Sequence, residues 1–415
     1  MPSKATLISI GDEILYGQTL DSNAHWISEQ LDLLGVRVVK RYTIGDRKNV
    51  ILETLAQAEA ESDVILITGG LGPTSDDLTK PCLAEYFNTP LKLHKESLSH
   101  IQQLFDSKGR EMTALNEAQA MLPASAIAVH NPLGTAPGMQ FERNGKVIIS
   151  MPGIPYEMRR MMIDSILPLI QKKYAHGILY HRIIRTIGIP ESQLAEIIKP
   201  WENQLPKHIK LAYLPTMGTV KLRLTGEGND LQGVKSQLDI QIQEVLPSIK
   251  KYVYGFDEES IEQAIGRMLK ERNLTLSTAE SCTGGFLSHK ITSVPGSSAW
   301  FHGGMIPYSN EIKNKLLEVP TSVLEEQGAV SEAVVRALAE NVRLKLKTDV
   351  GLSVSGVAGP SGGSTEKPVG TVWIGYADPH KTTAKKFHFT KDRLLNIQYT
   401  TTAALNMVRI NLSED

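Results

Sequence analysis

Apolar and polar positions along the first 170 residues alternate between the period of a strand and the period of a helix. Short apolar runs predict strands at 6–10, 36–43 and 64–68. Helical spacing of apolar residues predicts helices at 25–34, with Gly35 just past the end, and at 48–61. Strands that alternate with helices indicate βαβ units, a mainly parallel sheet, and ligand sites at the carboxyl ends of strands.

The pattern changes in the middle of the chain and returns to an α/β alternation near its end. Prolines separate the middle elements, which are predicted strands at 183–187 and 220–224 and helices at 191–198 and 231–245. The last stretch predicts a helix capped by Ser260, a helix after Ser331, strands at 274–277, 350–354 and 370–376, and a closing helix at 391–410. We therefore predict two α/β domains, 1–172 and 253–415, joined by a small α+β connector at 173–252.

Charge and cysteine content narrow the functional class. The 44 Lys and Arg against 45 Asp and Glu give a net charge of −1, which leaves no overall electrostatic footprint for nucleic acid or an anionic membrane. The basic residues of the middle stretch are interpreted as a solvated face: Lys207, Lys210, Lys221 and Arg223. The chain is predicted to be cytoplasmic for three reasons. It has only two cysteines, its N-terminus lacks a signal-like segment, and it contains no apolar run near the ~18 residues of a membrane span.

Two glycine-containing motifs follow predicted strands near the N-terminus, and both carry paired acids. SIGDEILYGQTLDSN contains Asp12 and Glu13, and ITGGLGPTSDDLT contains Asp76 and Asp77. Two further turns, HNPLGTAPG and MPGIPYEM, are expected to wall the same cleft.

The second motif combines a phosphate cradle with carboxylates. Backbone N–H groups of its glycines are suited to bind a phosphate: Gly69, Gly70 and Gly72. Neighbouring aspartates would repel that phosphate unless a divalent cation lay between them, and Mg²⁺ fits this ligand set. The alternative is that the two aspartates only cap the helix that starts at Leu78.

The N-terminal motifs GDEILYG, TGGLGPTSDDLT, NPLGTAPG and MPGIP resemble the molybdopterin-binding fold of molybdenum-cofactor biosynthesis, and together they resemble its variant in the CinA (competence/damage-inducible) family. The resemblance implies a three-layer domain that hydrolyses the pyrophosphate of ADP-ribose with Mg²⁺, Mn²⁺ or Co²⁺. It assigns the phosphate loop to Gly69, Gly70, Gly72 and Thr74. It assigns catalysis and metal binding to Asp76 and Asp77, with Asp12 and Glu13 as further metal ligands.

Six motifs near the C-terminus resemble the C-terminal domain of the same family: TAESCTGG, PGSSAWFHGG, YSNEIK, GAVSE, SGVAGPSGG and KPVGTVW. The resemblance implies a nicotinamide mononucleotide deamidase that needs no cofactor, converts the carboxamide into a carboxylate and releases ammonia. Together the domains would form a bifunctional hydrolase of pyridine-nucleotide recycling. The resemblance also implies a homodimer.

Amide hydrolysis by a serine needs a nucleophile, a base and donors for the oxyanion. We predict Ser298 as the nucleophile and Tyr308 and Lys313 as proton-handling partners, because a lysine with a lowered pKa is a suitable base. Ser281 is predicted to contact the substrate or the oxyanion. Cys282 is not expected to be the nucleophile, because no Cys–His pair is evident. The predicted substrate-binding residues are Thr283, Gly284, Gly359, Gly362, Gly363 and Arg393.

Other interpretations stay open from the sequence. The N-terminal domain would be a pterin or nucleotide binder if it released no AMP from ADP-ribose. A competence-associated role on DNA is disfavoured by the near-neutral chain, which lacks a strip of basic and aromatic residues. Within the C-terminal motifs, Ser298 would otherwise be a helix N-cap, and Tyr308 a half-buried core ring.

Overall fold

The computed structural model describes residues 3–74, 76–175 and 177–413 of the 415-residue chain. The chain forms two compact units, one of Met1–Tyr180 with Thr225–Gln237 and one of His181–Leu224 with Leu238–Asp415. Each unit is built from mixed helices and strands, which confirms the predicted α/β class.

The N-terminal part contains eight strands and eight α-helices in the residues described. The strands are β1 (Lys4–Ile10), β2 (Arg37–Ile44), β3 (Val64–Thr68), β4 (Leu91–Leu93), β5 (Met121–Pro123), β6 (Ile127–Val129), β7 (Gly138–Arg143) and β8 (Lys146–Met151). The helices are α1 (Asp12–Leu15), α2 (Ser22–Leu33), α3 (Lys48–Glu61), α4 (Thr79–Tyr86), α5 (Lys95–Ser107), α6 (Ala114–Gln119), α7 (Pro155–Met161) and α8 (Leu167–Tyr174). A π-helical turn, Met162–Ile166, joins the last two.

Six of these strands form one sheet in the order β2-β1-β3-β8-β7-β6. The pairs β1–β2, β1–β3 and β3–β8 are parallel, so the sheet is mainly parallel as predicted. One apolar core packs α2 and α7 against one face, and a second packs α3 and α4 against the other. Because helices cover both faces, all five residues of β3 are buried, and the domain has the predicted three layers.

Local capping explains where helix α2 begins and ends. The side chain of Asp21 accepts a hydrogen bond from the N–H of Ala24 at 2.9 Å, which starts the helix three residues before the predicted position. Gly35 follows the end of the helix with φ +72°, as predicted for a residue in the left-handed region. Helix α3 and strand β3 have the predicted bounds.

The middle of the chain is a small α+β arrangement, as predicted. Its elements are β9 (Ile178–Ile187), α9 (Glu191–Glu202), β10 (Ile209–Thr216), β11 (Thr219–Gly228), α10 (Leu231–Ile249) and β12 (Val253–Phe256), with a 3₁₀ turn at Lys250–Tyr252. The strand order is β10-β11-β9-β12. Both helices extend four residues past their predicted ends, since they accommodate Pro200 and Pro247 near their C-termini.

The C-terminal part contains five further strands: β13 (Leu276–Glu280), β14 (Phe301–Met305), β15 (Val350–Gly356), β16 (Thr371–Ala377) and β17 (Thr382–His388). Its helices are α11 (Ile261–Glu271), α12 (Phe286–Thr292), α13 (Asn310–Leu317), α14 (Thr321–Gln327), α15 (Glu332–Leu346) and α16 (Arg393–Ser413), with a 3₁₀ turn at Ser297–Ala299. The strand order is β14-β13-β15-β16-β17. The predicted cap of α11 is confirmed, because Ser260 forms a capping box with Gln263.

The position of β13 determines where this sheet can bind a ligand. Strand β13 pairs in parallel with β14 on one side and with β15 on the other. The strands that follow β13 in the chain, β14 and β15, therefore lie on opposite sides of it. The loops at the carboxyl end of β13 diverge at this topological switch point and form a crevice. Helices α13, α14 and α15 pack on one face of the sheet, and α11, α12 and α16 pack on the other.

Among the helices described, none is both long and apolar enough to cross a membrane.

Candidate active sites

A buried serine–lysine pair lies at the carboxyl end of β13. The Nζ of Lys313 donates hydrogen bonds to the Oγ of Ser281 and to the carbonyl of Tyr308, each at 3.1 Å. Lys313 is 1% exposed and Ser281 is 8% exposed. Burial lowers the pKa of Lys313, because the charged ammonium loses its hydration. A lysine amine of lowered pKa in contact with a serine hydroxyl is the arrangement of a general base and its nucleophile.

Two elements far apart in sequence create this pair. Ser281 is the first residue after β13, and its N–H donates to the carbonyl of Val354 on β15 at 3.0 Å. Lys313 lies on α13, which starts where the side chain of Ser309 accepts from the N–H of Ile312 at 3.2 Å. The strand end and the capped helix therefore fix both partners.

A buried carboxylate, Glu280, organises the glycine turn that follows Ser281. Glu280 is completely buried at the end of β13 and accepts five hydrogen bonds of 2.6–3.0 Å from the turn and the start of α12. The donors are the hydroxyls of Thr283 and Ser288 and the N–H groups of Gly285, Leu287 and Ser288. Sequence reasoning missed Glu280, although a single acid ending a buried strand was the available signal.

Arg393 connects two loops at the mouth of the same crevice. Its guanidinium donates to the carbonyl of Gly359 at 2.8 Å and to the hydroxyl of Tyr308 at 3.0 Å. Tyr308 is 58% exposed, so the alternative of a half-buried core ring is wrong. The structure thus brings Tyr308, Lys313, Ser281 and Arg393 together.

The other predicted binding residues occupy the turns around this crevice. Thr283 is buried, with its hydroxyl committed to Glu280, while Gly284 is exposed at φ +59°. Gly362 and Gly363 lie in the exposed loop after β15. Gly362 and Gly363 can offer backbone N–H groups to a ligand, whereas the N–H of Gly284 donates to the carbonyl of Ser281 at 3.2 Å.

Ser298 lies at the other end of the strands. It is exposed in the 3₁₀ turn just before β14, whereas Tyr308 follows β14. Since β13 and β14 run parallel with Leu276 beside Phe301, Ser298 is at their amino ends and Ser281 is beyond their carboxyl ends. The predicted pairing of Ser298 with Lys313 is therefore wrong, because the whole of β14 separates the two. The alternative of an N-cap also fails, since Gly296 precedes the turn as its cap.

Cys282 is 7% exposed, and burial raises the pKa of its thiol to about 12. The group stays a thiol at neutral pH, which agrees with its exclusion as a nucleophile.

A second crevice, of about 540 Å³, opens at the carboxyl ends of β1 and β3. Glycine lets the two loops meet there. A Cβ at Gly69, where φ is +101°, would lie 2.1 Å from the carbonyl oxygen of Ile10. A Cβ at Gly70, where φ is +63°, would lie 2.2 Å from the hydroxyl of Thr79. The predicted phosphate loop therefore has a shape that only glycine allows. The prediction that the N–H groups of Gly69, Gly70 and Gly72 all cradle a phosphate is wrong in part, because Gly69 donates to the carbonyl of Met151 at 3.0 Å and Gly72 donates to Asp77.

Asp77 holds this loop in shape. Its carboxylate accepts from the N–H of Gly72 at 2.7 Å, from the N–H of Thr74 at 2.9 Å and from the Thr74 hydroxyl at 2.5 Å. The hydroxyl of Thr74 is also the largest cause of the lowered pKa of Asp76. Helix α4 begins after Leu78 without a side-chain cap, so the alternative that the two aspartates only cap this helix is wrong.

Asp46 adds a carboxylate that sequence reasoning missed. It follows β2, accepts from the N–H of Asp12 at 3.3 Å, and lines the crevice. Burial raises the pKa of Asp46, and three neighbouring carboxylates raise it further: Asp12, Glu13 and Asp76. The available signal was a Gly-Asp pair directly after each of β1 and β2, in SIGDE and TIGDR.

The negative charge of this crevice suits a cation shared with a ligand. Within residues 3–74, 76–175 and 177–413, no three His, Cys, Asp or Glu side chains lie close enough to hold a metal by themselves. Mg²⁺ typically takes one or two carboxylates and completes its shell with water and substrate phosphate oxygens. The mutually repelling acids around Asp46 fit that mode of binding.

The two remaining N-terminal motifs line the same crevice, as expected. Thr135 and Ala136 come from the first motif, and residues 152–155 come from the second. Glu157, which is 5% exposed, accepts from the Nδ2 of Asn131 at 2.7 Å and so ties the two motifs together.

Comparison with known proteins gives full-length matches. The family models that match are "Probable molybdopterin binding domain" at residues 6–172, "Damage-inducible protein CinA KH domain" at 181–255 and "CinA C-terminal domain" at 258–412. The CinA-like protein of Cytophaga hutchinsonii is 47% identical over 410 residues, which are 99% of this chain and 98% of that protein. The CinA-like protein of Amoebophilus asiaticus is 42% identical over 412 residues, 99% of each chain. A crystal structure of the protein CinA with unknown function from Thermoplasma acidophilum is 31% identical and covers 41% of this chain and 97% of that one, with a TM-score of 0.37.

Proposed function

The chain belongs to the CinA family, and on this premise we propose that it is a bifunctional hydrolase of pyridine-nucleotide recycling whose C-terminal domain, 253–415, deamidates nicotinamide mononucleotide. The observation that carries this proposal is the buried contact between Lys313 Nζ and Ser281 Oγ. A desolvated lysine beside a serine hydroxyl supports acyl transfer, and hydrolysis of a carboxamide is an acyl transfer.

The reaction follows from that contact. The neutral amine of Lys313 accepts the proton of Ser281 Oγ as the oxygen attacks the carboxamide carbon. N–H groups at the start of the turn, those of Cys282 and Thr283, stabilise the resulting oxyanion. The tetrahedral intermediate then collapses, and the lysine returns the proton to the departing ammonia. Water, activated by the same amine, hydrolyses the acyl-serine ester and releases nicotinate mononucleotide.

The rest of the crevice is suited to bind the nucleotide. Arg393 and the amides of the loop at 359–364 supply a cation and N–H donors for the 5′-phosphate. Tyr308 accepts hydrogen bonds from Arg393 at its hydroxyl and from Lys313 at its carbonyl, and so connects the two cationic side chains. Glu280 acts as a positioning residue, because it fixes the turn without facing the substrate.

Hydroxylamine tests the covalent step. If Ser281 forms an acyl ester, hydroxylamine added to the reaction will intercept it and yield the hydroxamate of nicotinate mononucleotide, which mass spectrometry detects. Ammonia release without any hydroxamate, at a hydroxylamine concentration that traps other acyl-serine enzymes, would indicate direct attack by water and would contradict the proposed mechanism.

For the N-terminal domain, 1–172, we propose hydrolysis of ADP-ribose to AMP and ribose 5-phosphate with a divalent cation. The N–H groups of Gly70 and Leu71 in the glycine loop would bind the diphosphate, while Asp77 accepts from the N–H groups of Gly72 and Thr74 and so holds that loop in place. Asp76, Asp46, Asp12 and Glu13 would hold the cation, with Asp76 orienting the attacking water. The cation neutralises phosphate charge and lowers the pKa of water.

AMP release from ADP-ribose tests this activity, with Mg²⁺, Mn²⁺ or Co²⁺ added to metal-free protein. We expect release with at least one of these ions and none in EDTA. Binding of ADP-ribose without AMP release under any of the three ions would instead support the alternative of a nucleotide-binding domain. Both proposed substrates are small nucleotides, so neither activity requires nucleic acid or a membrane.

A further inference from the structure

Two buried side-chain oxygens in the N-terminal crevice lack a hydrogen-bond donor. Asn23 is 8% exposed and Gln119 is 3% exposed, and both line the crevice. In the part of the chain that the structure describes, Asn23 Oδ1 and Gln119 Oε1 have no partner. Buried polar atoms are nearly always hydrogen-bonded in folded proteins, so each of these acceptors needs an explanation.

Asn23 is held so that its oxygen remains available. Its Nδ2 donates to the carbonyl of Gly153 at 2.6 Å, which fixes the orientation of the amide. Gly153 in turn packs against the phosphate loop, since a Cβ there would lie 3.4 Å from the Cα of Gly69. Only Gly153 therefore lies between the fixed amide of Asn23 and the glycine loop.

Lys80 links the backbone of Gln119 to the same loop. The Nζ of Lys80 donates to the backbone carbonyl of Gln119 at 3.0 Å. Lys80 follows Thr79, whose N–H donates to the carbonyl of Gly70 at 3.1 Å. The backbone of Gln119 is thus anchored to the start of α4, while its side-chain oxygen is left without a donor.

The two acceptors come from opposite faces of the sheet. Asn23 is on α2, whose apolar residues belong to one core. Gln119 ends α6, two residues before β5, whose Leu122 belongs to the other core. The glycine loop lies at the end of β3, between these two layers. A ligand whose diphosphate occupied the loop would therefore extend towards an acceptor on each side.

We propose that Asn23 Oδ1 and Gln119 Oε1 accept hydrogen bonds from ribose hydroxyls on the two sides of a diphosphate bound by the glycine loop. The site thereby selects a diphosphate that carries a sugar at both ends. This inference rests on the proposed hydrolysis of ADP-ribose and names residues that determine its specificity. Carboxylates also line the crevice, among them Glu13, Asp46 and Asp76, and they too require donors or cations, so ligand hydroxyls match its chemistry.

Binding of a non-hydrolysable substrate analogue to the full-length protein tests the proposal. The probe is the α,β-methylene analogue of ADP-ribose with Mg²⁺, measured by calorimetry. Two truncated probes each remove the ribose hydroxyls on one side of the diphosphate. α,β-Methylene-ADP lacks the whole terminal ribose, and the 2′,3′-dideoxyadenosine form lacks only the hydroxyls of the adenosine ribose. The variants are Asn23→Leu and Gln119→Met, which keep side-chain volume but remove the oxygen. Gln102→Met, on the exposed face of α5, is the matched control.

We expect each truncation to weaken binding to the wild type roughly 10- to 100-fold, because a buried acceptor then stays unpaired. Each variant should bind the full probe more weakly by a similar factor and should become insensitive to one of the two truncations. The control should behave as the wild type.

Three results would overturn the inference, and they differ from one another. Truncations that cost the wild type nothing overturn it even if a variant fails to fold. Variants that keep the wild-type sensitivity to both truncations also overturn it, while leaving ADP-ribose hydrolysis intact. If the full probe does not bind the wild type, the proposed N-terminal function fails, and the inference fails with it.

Discussion

Burial of a single amine, that of Lys313, sets the chemistry proposed for the C-terminal domain. The folded chain surrounds this lysine almost completely and leaves it two hydrogen-bond partners, the Ser281 hydroxyl and the Tyr308 carbonyl. Neither of these two partners is a carboxylate, so they do not offset the desolvation of the amine by an ion pair. Burial without an ion pair makes the neutral amine a good base. It also lowers the stability of the folded protein whenever the buried amine is charged.

Replacement of Lys313 by methionine separates these two effects. We expect Lys313→Met to lower ammonia release about 10²- to 10⁴-fold, the usual loss for a missing general base. The melting temperature should stay equal or rise, because below its lowered pKa the wild-type lysine is charged and desolvated, whereas methionine is not. Activity assays and calorimetry on the same preparations measure both. A large drop in the melting temperature with little loss of activity would show that Lys313 is structural.

The pH dependence of deamidation should report the same lysine. Burial lowers its pKa below the ordinary value of 10.5, and only the neutral amine accepts the serine proton. The rate should therefore rise with pH through the folded pKa and level off before pH 10.5. Lys313→Arg, which stays protonated, should show no rising limb. A wild-type rate that does not rise with pH anywhere below pH 10.5 would contradict this role.

At this scale the sequence supplied the correct residue types but not their pairing. Ser281, Tyr308, Lys313 and Arg393 were all candidates, and the structure brings them together. The sequence favours Ser298 because it lies between a Pro-Gly turn and an aromatic pair, with Lys313 a short distance along the chain. Short distance along the chain does not mean contact here, because the whole of β14 lies between the two residues. Asp46 was missed because its role depends on β1 and β2 being neighbours, and Glu280 was missed because its role depends on the shape of the turn that follows it.

At the scale of elements, the loop after β3 shows how backbone shape produces a candidate phosphate site. Gly69 and Gly70 both adopt positive φ, and both pack where a side chain would collide with neighbouring atoms. Asp77 then fastens the end of the loop by accepting from two backbone N–H groups. The phosphate cradle is thus a property of the strand–loop–helix unit rather than of any one residue.

Alanine substitution distinguishes close packing from backbone strain at this loop. Gly70 and Gly109 have nearly the same φ, +63° and +61°, but only Gly70 is crowded, with the Thr79 hydroxyl 2.2 Å from a Cβ and nothing within 4 Å at Gly109. Gly109→Ala should cost about 1–2 kcal/mol from left-handed strain alone. Gly70→Ala should cost roughly 1–3 kcal/mol more and abolish AMP release from ADP-ribose. Urea unfolding monitored in full-length protein measures the difference, and equal costs would contradict the packing argument.

Element types were predictable where apolar periodicity was strong, and bounds were not. Helix α3 and strand β3 match their predicted bounds because each is a long, regular apolar pattern with clear ends. Strand β17, TTAKKFH, was missed because none of its residues is buried. Polar residues therefore dominate its sequence, and no apolar pattern marks it as a strand. Helix α2 begins earlier than predicted because the polar Asp21 cap, rather than the apolar pattern, determines its start.

At the scale of the whole molecule, the two candidate sites lie in different compact units and use different chemistry. The N-terminal site combines glycine amides with carboxylates, whereas the C-terminal site relies on an amine and a hydroxyl. One site therefore depends on a divalent cation in our account, and the other does not.

Metal removal should separate the two activities. EDTA is expected to abolish AMP release from ADP-ribose and to leave ammonia release from nicotinamide mononucleotide unchanged, because no step of the serine–lysine mechanism uses a cation. Asp76→Asn should reproduce the effect of EDTA, and Ser281→Ala should show the opposite pattern. Parallel assays of the two products check this. Loss of ammonia release in EDTA would contradict the assignment of the C-terminal site.

The most direct test of the account is ammonia release from nicotinamide mononucleotide by the wild type, Ser281→Ala and Ser298→Ala, measured side by side. Ser281 contacts the buried lysine, and Ser298 lies at the opposite ends of the strands. We predict that Ser281→Ala loses about a thousand-fold or more in rate and that Ser298→Ala retains most of it. Full activity of Ser281→Ala, or loss of activity only in Ser298→Ala, would contradict the central claim that Ser281 is the nucleophile.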